Sequence, residues 1–162
     1  MKLSMGMGTP ASDGEETFVR FLTEAEPRLR RALVALRGPE DGRDAVAEAL
    51  MWAWEHWDRV RAMDNPVGYL YRVGQSRTRH PRRGLLPFRV GEARLPDIEP
   101  GLGPALAALT DAQRTAVVLV HGCDWSYQEV AEALEISRSS VGTHVARALA
   151  RLRQQLEVDQ DA

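Results

Sequence analysis

Apolar residues recur every three or four positions along most of this chain, and this spacing limits its fold more than any other feature. It places an apolar face on each of the segments 18–36, 46–60, 67–73 and 141–156. Such a period is that of an amphipathic helix, whereas a half-buried strand alternates apolar and polar residues. No segment between turn residues alternates in this way. The sequence therefore predicts an all-α fold.

Proline and glycine are concentrated in one internal stretch, residues 81–104. A compact domain seldom contains so long a loop without structure, so this stretch is typical of a linker between domains. We therefore expect two small helical domains joined by a Pro/Gly-rich linker. The expected organisation is a flexible N-terminal lead (1–14), a helical domain (15–80), the linker (81–104), a second helical domain (105–156) and an acidic tail (157–162).

Charge, cysteine content and hydropathy exclude several classes of protein. The 162-residue chain has a formal net charge of -2, and because Cys123 is its one cysteine, neither an intramolecular disulfide nor a cysteine-based zinc site is expected. The histidines are scattered, with no nucleophile or metal-ligand spacing around them, so we expect no enzyme, catalytic residue, metal or cofactor. No apolar run is long enough to span a bilayer, so we expect a cytoplasmic protein without a membrane partner.

Two helices near the C-terminus have clear start signals. Ser126 and Glu129 form the pattern of a capping box, in which each side chain bonds the other residue's backbone amide. Ser137 is placed to cap the following helix after a short turn. Two helices joined by a tight turn, the second amphipathic, are typical of a helix-turn-helix, so the C-terminal domain is predicted to be one.

The outer face of the last helix has the composition of a DNA-reading surface. Short hydroxyl side chains can bond base edges, and arginines further along can contact phosphates. No acid occurs between Ser137 and Leu156. The alternative is an ordinary amphipathic helix with a solvated polar face. The residues predicted to bind DNA are Arg138, Ser139, Ser140, Thr143, His144, Arg147 and Arg151.

A second concentration of positive charge lies at the end of the N-terminal domain, in "GYLYRVGQSRTRHPRRG". Asn65 and Pro66 just before it are typical of a helix cap and a first helical residue. We expect Tyr71 to lie in the core, and the pattern leaves the role of Tyr69 open. The arginines of this stretch are Arg72, Arg77, Arg79, Arg82 and Arg83.

The segment "LTDAQRTAVVLVHGCDWSYQEVAEALEISRSSVGTHVARALARLRQQL" resembles the promoter −35-binding domain of sigma-70 family initiation factors, most of all the extracytoplasmic-function (ECF) group. Taken alone, it is also similar to the C-terminal domains of many response regulators. The positions that match the family pattern are Leu109, Gln113, Arg114, Ser126, Glu129, Val130, Ala131, Ser137, Ser140, Val141, Arg147, Ala148 and Leu152.

The N-terminal half separates these two families. "DGRDAVAEALMWAWEHWDRV" resembles the acidic, Trp-containing sigma helix that docks on the polymerase clamp, and "DNPVGYLYRV" resembles the −10-binding helix that follows it. The resemblance covers about residues 16–156. It implies a non-catalytic subunit that binds core RNA polymerase and promoter DNA, assists promoter melting, and is held by an anti-sigma factor in many members of the family.

The resemblance also implies which residues carry each contact. On the clamp helix, Trp52 is expected to be a partly exposed anchor, the alternative being that it lies in the core beneath a solvated acidic face. The implied polymerase-binding residues are Asp44, Glu48, Trp52 and Glu55. The implied −10-binding residues are Met63, Asp64 and Asn65 in a base pocket, with Tyr69, Arg72, Arg77, Arg79, Arg82 and Arg83.

The chain departs from the family pattern at several positions. Ala45 and Ala47 stand where the clamp helix usually has Leu and Gln, and Gly142 and His144 stand where the reading helix usually has Lys and Arg. The −35 and −10 sequences of better-known members therefore cannot be transferred to this chain. The rival interpretations are a helix-turn-helix regulator that acts without polymerase and a protein-interaction module that only mimics a sigma factor.

Overall fold

The structure is a computed structural model that describes residues 13–77 and 101–160. Across these residues the secondary structure is helical and no strand occurs, as the periodicity predicts. No helix in this part of the chain is both long enough and apolar enough to cross a membrane. The helices are α1 (Asp13–Arg37), α2 (Pro39–Glu55), α3 (Trp57–Val60), α4 (Pro66–Arg77), α5 (Leu102–Ala107), α6 (Asp111–Val117), α7 (Tyr127–Leu134) and α8 (Arg138–Gln160), with a π-helical turn (Val118–Gly122) after α6.

Helices α1, α2 and α4 form the N-terminal unit and pack against one another. Leu29 and Leu33 of α1 and Leu70 of α4 are fully buried between them. The turn between α1 and α2 requires a positive φ of 88° at Gly38, which glycine adopts without a steric penalty. Gly42 then brings the two backbones together, since a Cβ there would lie 2.6 Å from the Cα of Val34. The close packing of this unit therefore depends on glycine.

The start of α4 matches its sequence signals. The Oδ1 of Asn65 accepts a hydrogen bond from the amide of Gly68 at 2.9 Å, and Pro66 is the first helical residue. The preceding helical segment, expected to run from Val46 to Val60, is instead broken at His56, which has non-helical backbone angles. The break separates α2 from the short α3 and turns the chain toward the loop before α4.

The C-terminal unit consists of α5 to α8. The predicted capping box at Ser126 and Glu129 is present, and Ser137 caps α8 by accepting from the amide of Ser140 at 3.0 Å. A second capping box, between Thr110 and Gln113, begins α6 and was not predicted. Helices α7 and α8 are joined by a turn in which Glu135 has a left-handed φ of 56°. These two helices form the expected helix-turn-helix.

Two expected boundaries differ from the structure. Helix α5 begins at Leu102, so the last residues of the predicted linker are helical. Pro104 is compatible with this because a proline in the first turn of a helix loses no intrahelical hydrogen bond. Helix α8 also continues through residues 157–160, which were assigned to the acidic tail. The rest of the predicted linker, residues 81–100, lies outside the described residues.

The two helical units are in contact. Helix α4 and part of α1 pack against α7 and the π-helical turn. At the centre of this interface the rings of Tyr71 and Trp125 meet edge to face, with centroids 5.7 Å apart. Both residues are buried, with 3% and 2% of their surface exposed. The N-terminal unit is therefore packed directly on the helix-turn-helix.

Candidate nucleic-acid interface

Helix α8 presents a polar face to solvent and an apolar face to the core. Val141, Val145 and Ala148 are buried against the other C-terminal helices. Ser140 and His144 are half-buried at the edge of the polar face. The exposed members of the predicted DNA-reading set are Arg138, Ser139, Thr143, Arg147 and Arg151. The structure thus brings the predicted residues together on one face, with no acidic side chain between Ser137 and Leu156.

The first turn of α8 is organised by hydroxyl groups. The Oγ of Ser137 lies 2.9 Å from the Oγ of Ser139 and 2.7 Å from the Oγ of Ser140. Thr143 donates to the carbonyl of Ser139 at 3.1 Å. Each hydroxyl retains capacity for a further hydrogen bond because a hydroxyl has one donor and two acceptor positions. This turn can therefore bond base edges or phosphates at the positive end of the helix dipole.

Gly142 has no packing role that explains it. A Cβ at this position would meet only the Cε2 of Tyr127, at an ordinary contact distance of 3.8 Å. Glycine in a helix interior costs about 1 kcal/mol relative to alanine. Nothing within the described part of the chain offsets this cost.

On α4 the two tyrosines have different environments. Tyr71 is buried, accepts a hydrogen bond from the Nε2 of Gln75 at 2.8 Å, and has its pKa raised to about 12 by burial. This confirms the expectation that Tyr71 lies in the core. Tyr69 is half-buried, and two guanidinium groups lie over its ring: that of Arg72 at 5.2 Å and that of Arg59 at 5.6 Å.

Tyr69 belongs to a layered group of aromatic and cationic side chains. The rings of Trp52 and His56 are stacked, with centroids 4.3 Å apart, and Trp52 lies 5.2 Å from Tyr69. Cation–aromatic contacts of this kind are favourable at exposed and half-exposed sites. We call this group the cation–aromatic cluster, formed by Trp52, His56, Arg59, Tyr69 and Arg72.

The cation–aromatic cluster corrects the expectation for Trp52 and adds two residues, His56 and Arg59, to the candidate site. Trp52 is only 7% exposed, so the expectation of a partly exposed anchor is wrong and the core alternative is right. Burial beneath His56 explains this, since the imidazole covers one face of the indole. His56 and Arg59 are exposed and were missed. The spacing of Trp52 and His56, four residues apart, is a signal that could have indicated the stack.

The loop before α4 contains the predicted base-pocket residues. Asp64 is exposed and Met63 is half-buried. Asn65 is engaged on both sides, because its Oδ1 caps α4 and its Nδ2 donates to the Oε2 of Glu132 at 2.9 Å. Arg77 is exposed at the end of α4, whereas Arg79, Arg82 and Arg83 lie outside the described residues.

The acidic face of α2, formed by Asp44, Glu48 and Glu55, is exposed or half-exposed. Met51 lies on the same stripe of the helix and is 53% exposed. Trp54, near the end of α2, is 52% exposed and packs one side of its ring on Phe18, with centroids 4.9 Å apart. The large exposed apolar residues of α2 are therefore Met51 and Trp54, which the sequence reasoning missed.

Comparisons with known proteins match both units. Residues 102–152 match the family described as "Sigma-70, region 4". The RNA polymerase sigma-E factor of Streptomyces avermitilis is 34% identical over 154 residues, which cover 88% of this chain and 84% of that protein. The sigma-E factor of Streptomyces coelicolor is 32% identical over 153 residues, covering 87% of this chain and 85% of that protein.

A solved structure supports the arrangement of the helices. The sigma factor RpoE from Bartonella quintana, in a co-crystal structure with the anti-sigma factor NepR, superposes with a TM-score of 0.69. The match covers 89% of this chain and 99% of that one at 23% identity, a level that supports the fold alone. The family evidence is the sequence identity, which extends over both helical units. The chain therefore belongs to the sigma-70 family of RNA polymerase sigma factors.

Proposed function

We propose that this sigma factor binds core RNA polymerase through α2 and directs it to promoters through α8 and α4, in the cytoplasm, where promoter DNA is found. The observation that carries the proposal is the exposed face of α8, where hydroxyls and arginines project from a helix without acids over twenty residues. Such a surface has the charge and hydrogen-bonding groups that a recognition helix needs in the major groove.

Helix α8 is proposed to read the −35 element. Ser139 and Thr143, near its N-terminal end, are placed for base edges or nearby phosphates, as residues of recognition helices are. Arg147 and Arg151 lie one and two turns further along and suit phosphates, where they add affinity without sequence preference. Packing does not require glycine at position 142, where a Cβ would meet only Tyr127 at 3.8 Å, and this supports a role for Gly142 in a close approach of the helix to DNA.

The surface around α4 is proposed to bind the −10 element after the strands part. Exposed His56 and half-buried Tyr69 offer ring faces or edges, and Arg59 and Arg72 add positive charge beside them. Aromatic rings next to cations suit unpaired bases and their phosphates, because stacking and charge act together. Met63 and Asp64 in the adjoining loop are the proposed walls of a pocket for a flipped base.

The acidic face of α2 is proposed to contact a basic surface of the polymerase clamp. Asp44 and Glu48 lie one turn apart and present negative charge, which favours association with a basic partner. Met51 and Trp54 supply the exposed apolar area that interface centres use. An anti-sigma factor is a further proposed partner, as it is for the RpoE protein whose complex with NepR has been solved.

The test of the proposed function is co-purification with core RNA polymerase, followed by run-off transcription on genomic fragments. We expect stoichiometric binding by the full chain and transcripts from start sites that core polymerase alone does not use. The variant Asp44→Arg/Glu48→Arg should lose both. The matched control is Glu16→Arg/Glu24→Arg, which makes the same charge change at exposed positions of α1 and should retain both.

Failure of the full chain to bind polymerase, with DNA binding by the protein alone, would contradict the proposal. It would support a helix-turn-helix regulator that acts without polymerase, which uses α8 in the same way.

A further inference from the structure

Gly142 of α8 differs from two other helical glycines of the chain. At Gly42 and Gly74 a Cβ would lie 2.6 Å and 2.9 Å from a backbone atom of a neighbouring helix, so close packing requires glycine there. At Gly142 a Cβ would meet only a carbon of Tyr127, at 3.8 Å. Glycine nevertheless lowers the stability of a helix interior relative to alanine. The described part of the chain thus gives no reason for glycine at this position, whereas a ligand on the outer face of α8 would.

The ring beside Gly142 belongs to Tyr127, the first residue of α7. Both residues are half-buried, and Gly142 lies next to Thr143 and three residues after Ser139, which are exposed and proposed to read DNA. Any side chain at position 142 would begin at contact distance from the ring, because 3.8 Å is an ordinary separation of two carbon atoms. Glycine therefore leaves this edge of the Tyr127 ring uncovered beside the reading face of α8.

The space between Gly142 and Tyr127, which we call the glycine gap, has the size and polarity of one methyl group. A methyl placed at the Cβ position of residue 142 would touch the Tyr127 ring without overlap. The atoms on its two sides are carbons, the Cα of Gly142 and the Cε2 of Tyr127, so a polar group would lose hydrogen bonds to water there. Among the base edges in the major groove, thymine alone presents a methyl group, at C5.

We propose that the glycine gap binds the C5 methyl of a thymine in the −35 element, which makes Tyr127 a specificity-determining residue on α7. This inference rests on the proposed function, since it names one base that α7 and α8 read together. The hydroxyls of Ser139 and Thr143 beside the gap can bond the polar edges of adjacent bases. The contact of the methyl with the ring adds a discrimination of apolar shape, which hydroxyl groups do not supply.

The first experiment measures how much the thymine methyl contributes to binding. Holoenzyme made from core RNA polymerase and the full chain selects duplexes from a random-sequence pool. Each thymine of the selected −35 region is then replaced, one at a time, by uracil, which pairs in the same way and lacks only the methyl group. We expect one position at which the replacement weakens binding roughly three- to fivefold, the effect of burying one methyl group. A selected −35 region without such a thymine would overturn the proposal.

The second experiment fills the glycine gap. Gly142→Ala places a methyl where the thymine methyl is proposed to lie, so the preference for thymine over uracil should disappear. The matched control is Gly122→Ala in the π-helical turn, where a Cβ also has one neighbour at 3.8 Å, the Cγ1 of Val118, and the preference should be unchanged. The ratio of the two affinities is measured on one preparation of each variant, so it does not depend on the fraction of the variant that folds.

The third experiment separates the ring of Tyr127 from its hydroxyl. Tyr127→Phe keeps the ring and should keep the preference for thymine, whereas Tyr127→Ala removes the ring and should lose it. Loss of the preference in Tyr127→Phe would overturn the proposal, because the hydroxyl would then be the contact. Persistence of the preference in Gly142→Ala would overturn it as well, because the methyl would then lie elsewhere.

The outcomes separate this inference from the proposed function. Holoenzyme that starts transcription at new sites but tolerates uracil at every position of the −35 region contradicts the inference and leaves the proposed function intact. If the chain bound no polymerase, the same selection and uracil replacement with the chain alone would test the glycine gap, since a free-standing regulator uses α8 in the same way. A preference for thymine that depends on Gly142 would then contradict the proposed function alone.

Discussion

The two helices proposed to contact DNA differ in how their functional side chains are held. Those of α8 project from one helix, whose start is fixed by Ser137 two residues before Ser139. Those around α4 come from three separate segments, and Arg72 contacts both Tyr69 and Glu135 of the other unit. A surface encoded within one helix is available whenever that helix forms. A surface assembled from several elements can be covered or uncovered by their packing.

The largest difference between the N-terminal and C-terminal units should be the change in stability when a helical glycine is replaced by alanine. In the N-terminal unit a Cβ on Gly42 would lie within 2.9 Å of three backbone atoms of α1, so α1 and α2 must move apart. We expect Gly42→Ala to lower the free energy of unfolding by roughly 1–3 kcal/mol. Chemical denaturation of the full chain measures it.

The matched substitution in the C-terminal unit is Gly142→Ala, where a Cβ meets only Tyr127 at 3.8 Å. Better helix propensity should raise the free energy of unfolding by up to about 1 kcal/mol. If both substitutions destabilised the chain equally, packing would not distinguish the two units as we describe.

The next effect concerns phosphate contacts on α8. Arg147→Ala/Arg151→Ala should weaken holoenzyme binding to promoter duplex roughly tenfold or more near 0.1 M salt, since each phosphate contact releases counterions. The slope of log affinity against log salt should fall in magnitude by about 2. Titrations of labelled duplex at several salt concentrations measure both quantities. Binding of single-stranded DNA should be unchanged, and a parallel loss there would contradict the division of labour between α8 and α4.

A smaller effect is expected from the cap of α8. Ser137→Ala removes the acceptor for the amide of Ser140 and should lower the free energy of unfolding by about 1 kcal/mol. Thermal denaturation measures the change. Ser139→Ala is the control, because the Ser139 hydroxyl bonds only the Oγ of Ser137 within the described chain and does not cap the helix. An equal loss in both variants would show that the cap is not the stabilising feature.

The sequence was sufficient for features that depend on neighbours along the chain. The capping box at Ser126, the cap at Ser137 and the Asn65–Pro66 start of α4 follow from residue types one to three positions apart, and the structure contains all of them. The helix-turn-helix and the all-α class follow from the same local signals and from the period of apolar residues.

Features that depend on tertiary packing could not be predicted in this way. Periodicity alone could not decide whether Trp52 was an exposed anchor or a core residue, because that depends on the stacking of His56 and the contact with Tyr69. The exposed apolar residues of α2 are Met51 and Trp54 instead. Helical periodicity also cannot report the contact of Tyr71 with Trp125, since these residues are 54 positions apart and belong to different units.

The smallest effect should be that of pH on the contact between the two helical units, where Arg28 donates to the Oε1 of Glu129 at 2.6 Å. Partial burial raises the pKa of Glu129, but hydrogen bonds from Arg28 and Ser126 outweigh it and lower the pKa below the ordinary 4.5. The stabilisation from this group is therefore complete above about pH 4.5 and is lost as the pH falls through the lowered value. The free energy of unfolding, measured by chemical denaturation of the full chain in buffers of decreasing pH, should fall in that acidic range. In Glu129→Gln, which preserves the capping-box pattern, this dependence should be weaker.

The most direct test of the central claim is run-off transcription with purified core RNA polymerase and the full chain on fragments of the source genome. The account predicts discrete new transcripts that require the chain, disappear with Asp44→Arg/Glu48→Arg, and persist with Glu16→Arg/Glu24→Arg. No new transcript from the wild-type chain, using core polymerase that is active with another sigma factor, would contradict it.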